Sequence, residues 1–245
     1  MIRLIPRALA MLGALLLCLP LHYLWKLGGR PSPWPRRFLG WVARAAGIRA
    51  RIVGTPIERD VLFLANHLTW LDILVLAGAS GTAFVAKAEV AGVPVVGWLA
   101  GLNNTVFVAR SERSGVRGQA DSLRDALASG QPVALFPEGT TEGGHEVLPF
   151  RASLLAALFP PLPGVKVQPV ALDYGPAAHD LAWVGDETGL ANVKKVLSRP
   201  GTVPVTLHFL APLDPEAGDR KALARAAREE IVSALRPSGD GSDRL

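Results

Sequence analysis

The chain has 245 residues, 49% of them apolar, with a positive mean hydropathy of +0.28 and a net charge of +5. That length suits one α/β-sized domain with a sizeable core and excludes a small fold that depends on staples. The single cysteine, Cys18, excludes an internal disulfide and a cysteine metal cluster.

The positive charge lies at the amino terminus. Nine Lys and Arg residues and no Asp or Glu occur through Ile57; the first acid is Glu58. This excess flanks an apolar segment, which argues for a membrane and against nucleic acid as the partner. Ala8 to Trp25 carries no charge and is just long enough to cross a bilayer, or to lie in one leaflet with a bend at Pro20. Tyr23 and Trp25 suit an interface, and Lys26, Arg30, Arg36 and Arg37 suit anionic headgroups. A cleaved signal peptide is the rival reading, but no small-x-small cleavage pattern follows the apolar run. Phe38 to Ala46 reads as a second, amphipathic helix at the surface. Residues 1–44 are therefore expected to be membrane-anchoring helices, 45–235 an α/β domain and 236–245 a flexible tail.

Strands are expected at Ile48–Val53 and at the apolar run Val61–Ala65, which reads as fully buried. Ile73–Ala77 follows as the body of a helix. Thr82–Ala86 is a short strand, and a helix starts near Pro94. Thr105–Ala109 is another strand, closed by Arg110. Gly118–Ser129 has helical spacing and stops at Gly130. Pro132–Phe136 is a strand cut off by Pro137, Glu138, Gly139, Thr140 and Thr141, and Glu142 to His145 is a flexible loop. Pro149–Phe159 is mostly helical. Val165–Leu172 and Val203–Leu210 are strands, and Asp219–Leu235 is a charged amphipathic helix. The alternation of strands and helices predicts an α/β sheet with helices on both faces. Phosphate-cradling and dinucleotide glycine patterns and the Gly-x-Ser-x-Gly turn are absent, and the five His form no metal-binding spacing.

His67 and Asp72 stand where a strand hands over to a helix. Five residues along an ideal helix turn through roughly 140° beyond a full circle, so two helical positions would not share a face. The expectation is His67 before the helix and Asp72 in its first turns, with the chain bent between them. Asp72 then orients one ring nitrogen and the other is left to take a proton. Further polar groups end other strands: Arg110, suited to a phosphate or carboxylate, and Glu138 with Gly139 and Thr140.

The ordered blocks Asn66-His67 with Asp72, Phe107–Arg110, Phe136–Thr140 and Val167–Val170 resemble the glycerolipid acyltransferase family, whose best-known members are 1-acylglycerol-3-phosphate acyltransferases. The resemblance spans residues 45 to 215. It implies a single acyltransferase domain with a mixed sheet flanked by helices. It implies acyl transfer from acyl-CoA or acyl carrier protein to a lysolipid hydroxyl, first of all 1-acyl-sn-glycerol-3-phosphate giving phosphatidic acid. His67 and Asp72 would be the catalytic pair, with no acyl-enzyme, no cofactor and no metal. Arg110, Glu138, Gly139 and Thr140 would meet the acceptor headgroup, with Lys87 and Arg151 as further basic candidates and Pro169 in the site wall. The implied location is the bacterial inner membrane, with the site facing the cytosolic donor.

Two departures bear on the acceptor. Thr141 and Glu142 follow Thr140 where many phosphatidate-forming members carry Arg and Ser, and Ala109 precedes Arg110. Phe84–Val90 and Phe136–Thr141 are similar to the branch that acylates lyso-ornithine lipid, the alternative acceptor; there Arg110 would meet the carboxylate and Glu142 the amine. A lipid-binding pseudoenzyme and a phospholipid hydrolase on the same fold are the competing classes.

Overall fold

The computed structural model describes residues 2–108, 115–128 and 130–236, with the side chains of 115–120, 122 and 157 left aside. Two helices come first, α1 (Leu4–Leu27) and α2 (Trp34–Ala45), then β1 (Ile48–Val53), β2 (Val61–Ala65), α3 (Leu71–Ser80) and β3 (Ala83–Lys87). Short helices α4 (Ala88–Ala91) and α5 (Val96–Leu102) lead to β4 (Val106–Val108), α6 (Gly115–Ala128) and β5 (Val133–Leu135). A 3-10 segment (Ala152–Leu158) precedes β6 (Lys166–Asp173). Helices α7 (Ala178–Leu181) and α8 (Gly189–Ser198), strand β7 (Val203–Phe209) and helix α9 (Arg220–Leu235) complete the order.

The strands form one seven-stranded sheet in the order β1-β7-β6-β2-β5-β3-β4. Every neighbouring pair is parallel except β6 and β7, which makes the sheet mixed. β2 lies inside the sheet between β5 and β6, and all five of its residues are completely buried. Its unbroken apolar run is what burial on both faces requires. Phe63 faces a core shared with α2, α3 and α8, whereas Leu62 and Leu64 face the layer of α6 and α9. Truncating Phe63 to Ala would cost about 3–5 kcal/mol.

The first two predicted strands have the observed bounds, whereas β4 starts at Val106 rather than Thr105 and its expected last residue, Ala109, lies outside the described residues. Helix α8 and the short helices α4 and α7 were not anticipated, and the helix expected over Pro149–Phe159 is a 3-10 segment. The expected tail falls outside the described residues from 237 onward.

The amino-terminal helices are seated on the domain. Among the described residues α1 is the helix long and apolar enough to cross a membrane. Its inner stripe of Ala14, Cys18 and His22 is buried, and Ile5, Leu9, Leu12, Leu16 and Leu24 stand outward. Arg7 donates to the carbonyls of Val196 and Leu197 at 3.2 Å and of Gly201 at 2.6 Å, capping the end of α8. α2 crosses α3 at two glycines: a Cβ on Gly78 would sit 2.7 Å from Gly40 Cα. Arg36 reaches the last turn of α3 through the carbonyls of Gly78, at 3.3 Å, and Ala79.

Candidate active site

The buried strand β2 delivers the chain to the carboxyl edge of the sheet, where Asn66 anchors it. Asn66 Nδ2 donates to the Leu172 carbonyl at 3.1 Å and Oδ1 accepts from the Leu172 amide at 2.8 Å, tying the end of β2 to β6. The chain then turns, and α3 begins at Leu71 with Asp72 in its first turn. His67 lies before the helix, as the spacing argument requires.

Asp72 is completely buried and surrounded by donors. Its Oδ2 accepts from His67 Nδ1 at 2.8 Å and from the amides of Leu68 and Thr69 at 2.6 and 2.9 Å. Its Oδ1 accepts from the Tyr174 hydroxyl at 2.6 Å. Burial, then the Asp72 charge and this hydrogen bond, raise the Tyr174 phenol well above its usual range and keep it a donor. With Nδ1 donating to Asp72, a tautomer assigned from this network, Nε2 carries the lone pair. The His67 side chain is 19% exposed, so that nitrogen is within reach of a substrate. The imidazole stacks on Phe136 at 4.1 Å and 13°, and Phe136 in turn lies parallel to Phe84 at 5.9 Å.

Glu138 stands on the other side of the same loop. β5 is paired to β2, and the chain leaves it through Phe136 and Pro137 into a turn. There Glu138 Oε1 accepts from the His67 amide at 2.7 Å and Oε2 from the Leu148 amide at 2.8 Å. The residue is 2% exposed. Burial pushes its carboxyl up to about 7; the two amides oppose that shift, and the charges of Asp72 and Glu142 add to it. Both Glu138 oxygens are thus turned to the main chain, and one of them holds the His67 amide.

Gly139 follows at φ +71°, a backbone region costly for a side chain, and its amide closes the turn on Phe136 at 3.1 Å. Thr140 is exposed beyond it. Arg151 is drawn to this turn, its amide on the Pro137 carbonyl at 2.8 Å and its side chain against Gly139. Lys87 is exposed at the end of β3, two strand spacings from β2, or roughly 10 Å. Arg110 lies outside the described residues. Pro169 sits level with Leu64 in β6, its carbonyl accepting from Leu210.

Glu142 is held by its own loop: Oε2 accepts from the amides of Gly144, His145 and Glu146 at 2.6, 3.0 and 3.4 Å. Partial burial works against the charge, yet the amides of Gly143, Glu146, Gly144 and His145 keep this carboxyl below its usual range. The loop expected to be flexible is thus tied by one carboxylate. The main chain of Glu142 also donates to the His67 carbonyl at 3.3 Å, and Trp183 donates to that of Leu68 at 3.1 Å. Trp70 Nε1 donates to Asn192 Oδ1 of α8 at 3.0 Å.

Sequence reasoning missed Tyr174, Asn192 and the stacking role of Phe136. Tyr174 follows the last residue of β6, so the strand-end argument applied to β6 would have pointed to it. No comparable signal marks Asn192. Among the described residues no cluster of three or more His, Cys, Asp or Glu side chains could hold a metal ion.

The family model described as Acyltransferase matches residues 48–173, a span that holds His67, Asp72 and Glu138. A lyso-ornithine lipid O-acyltransferase of Brucella abortus is 35% identical over 92% of this chain and 91% of that protein. A 1-acyl-sn-glycerol-3-phosphate acyltransferase of Neisseria meningitidis is 37% identical over 77% of this chain and 75% of its own. The crystal structure of the 1-acyl-sn-glycerophosphate (LPA) acyltransferase PlsC from Thermotoga maritima shares the fold, with a TM-score of 0.62 at 24% identity over 82% of this chain and 76% of that one. The expected fold and enzyme class thus agree with the findings, and the outward apolar face of α1 adds association with a membrane. The chain belongs to the acyltransferase family.

Proposed function

We propose that this acyltransferase moves a fatty acyl group from acyl-CoA or acyl carrier protein to the hydroxyl of a lysolipid, with His67 as base and Asp72 as its orienting partner. The observation that carries this reading is the 2.8 Å bond from His67 Nδ1 to the buried Asp72, which leaves Nε2 to accept a proton. In the reaction the lysolipid oxygen attacks the thioester carbonyl carbon while its proton passes to Nε2. The tetrahedral intermediate collapses with loss of the thiolate, which takes that proton back as the free thiol. No acyl-enzyme is needed, and base-type assistance of this kind contributes typically 10²–10⁴-fold. Gly139, Thr140, Arg151, Lys87 and Arg110 are the proposed headgroup contacts; Glu138 supports His67 from beneath.

Two acceptors fit. The ordered blocks favour 1-acyl-sn-glycerol-3-phosphate, giving phosphatidic acid, and the Neisseria relative bears that name. Lyso-ornithine lipid is the second reading. Relatives so named in Brucella abortus and Rhodobacter capsulatus match 92% and 95% of this chain, a longer match than the 77% of the Neisseria protein. The Glu142 carboxylate, kept below its usual range by its loop amides on a residue whose main chain is bonded to the His67 carbonyl, is a group an acceptor amine could meet.

The seat of α1 supports a location within one leaflet. It is tied near its start by Arg7 and near its end by His22, whose Nδ1 lies 2.9 Å from Ser32 Oγ. The proposed setting is the cytosolic face of the bacterial inner membrane, where the thioester donors are made. Purified membranes offered labelled acyl-CoA and acyl carrier protein, with lysophosphatidate or lyso-ornithine lipid, test the acceptor. Product on lysophosphatidate supports the phosphatidate reading, product on lyso-ornithine lipid alone supports the second, and no product on either contradicts both.

A further inference from the structure

A groove of about 450 Å³ runs between α1 and α2, away from His67. Ala10, Gly13, Leu17 and Trp41 form its apolar length, and Arg44 and Arg49 line it as well. It exists because α1 presents small side chains to α2: a Cβ on Gly13 would meet nothing within 4 Å. The apolar portion is shaped for a hydrocarbon chain.

Charge identifies the other half of the ligand. Both Arg44 and Arg49 are exposed. Arg49 Nη1 donates to the carbonyls of Arg44 and Ile48 at 3.3 and 3.2 Å, which holds the guanidinium in place without neutralising it. No acidic residue precedes Glu58, so α1 and α2 hold no carboxylate of their own to pair with them. Arg3, Arg49 and Arg199 also lie within electrostatic range of Arg7, and of these Arg199 is paired, with Asp180. Guanidinium groups gathered beside an apolar trough are the complement of a phosphate on an acyl chain.

We propose that the α1–α2 groove binds one anionic phospholipid of the bilayer, an acyl chain lying along Gly13 and Leu17 and the phosphate on Arg44 and Arg49. The proposal rests on the membrane reading above and assigns this lipid a place separate from the acceptor at His67. Such a lipid fills the open seam between the anchor helices.

The test is native mass spectrometry of the full-length protein released from micelles, with phosphatidylglycerol and phosphatidylcholine added in parallel. Gly13→Leu fills the groove without a backbone clash, and the pair Arg44→Gln and Arg49→Gln removes the charge. The expected result is one retained phosphatidylglycerol on the wild type, with binding about tenfold weaker for phosphatidylcholine and for either variant. Acyl transfer by Gly13→Leu to a short-chain, monomeric acceptor should be unchanged, which also shows that the variant folds. Equal retention of both lipids, or phosphatidylglycerol held undiminished by Gly13→Leu, would overturn the proposal. So would a raised acceptor KM in Gly13→Leu, which would make the groove the acceptor's own route. Flotation with vesicles of phosphatidylethanolamine and phosphatidylglycerol separates the two levels. Protein that floats but retains no lipid sinks this site alone, whereas protein that fails to float sinks the membrane reading beneath it.

Discussion

Asp72 and Glu138 grip the same loop from opposite sides and are held in different ways. Asp72 accepts from four donors, including the His67 imidazole and the Tyr174 phenol, and both of its oxygens are engaged. Glu138 accepts from two main-chain amides and has neither a cation nor a hydroxyl among its described partners. Both are almost wholly removed from water, and burial pushes the Glu138 carboxyl up to about 7. What separates the two acids is which donors the fold supplies. In the proposed mechanism Asp72 orients the ring, and Glu138 holds the strand-to-helix turn that carries it.

The contrast is sharpest in Asp72→Asn. An amide placed there turns an NH₂ group toward donors, and the ring loses the partner that sets its tautomer. A fall of about 10³–10⁴ in kcat with little change in KM is expected. A comparable fall in Glu138→Gln would erase the distinction between the two acids. Glu138→Gln is expected to lose less activity, about 10–100-fold, together with about 1–3 kcal/mol of stability from one amide left without an acceptor.

The same variant carries a pH signature. Because the folded pKa of Glu138 is raised from 4.5 to about 7, the folded chain holds this proton after the unfolded chain has released it. Stability from this group is therefore greatest below pH 4.5 and declines as pH rises to 7, by on the order of 3 kcal/mol. Denaturant titrations across that window should show the decline in the wild type and a flatter profile in Glu138→Gln. Tyr174→Phe removes one of the four donors to Asp72 and should cost about 1–2 kcal/mol, read as a lower denaturation midpoint with activity down about tenfold. The smallest effect is expected from Glu142→Gln, whose loop amides keep an acceptor oxygen. Its rate on lysophosphatidate should change less than about threefold, and a selective loss on lyso-ornithine lipid would establish the amine contact.

The parts of the site that were legible in the sequence are those whose partners are near in the chain. His67 and Asp72 are five residues apart, so helix geometry alone says where each must stand. The strands Ile48–Val53 and Val61–Ala65 are bounded by their own composition, and their observed limits follow it. Tyr174 reaches Asp72 across 102 positions and Asn192 reaches Trp70 across 122, and no local periodicity encodes either bond. The Glu138 contacts are hidden for the same reason. Only the pairing of β5 with β2 brings this glutamate to the His67 amide. The apolar length of α1 was plain, whereas its seat on α8 depends on three carbonyls nearly two hundred residues away, reached by Arg7.

The central claim is that His67 takes the proton of the acceptor hydroxyl. The rate of labelled acyl transfer by His67→Ala, in membranes where the protein is present at wild-type level, tests it most directly. A loss of at least about 10³-fold, with the folded protein and its membrane attachment retained, is the predicted result. Transfer within about tenfold of the wild type would contradict the mechanism and return the buried Asp72 network to a purely structural role.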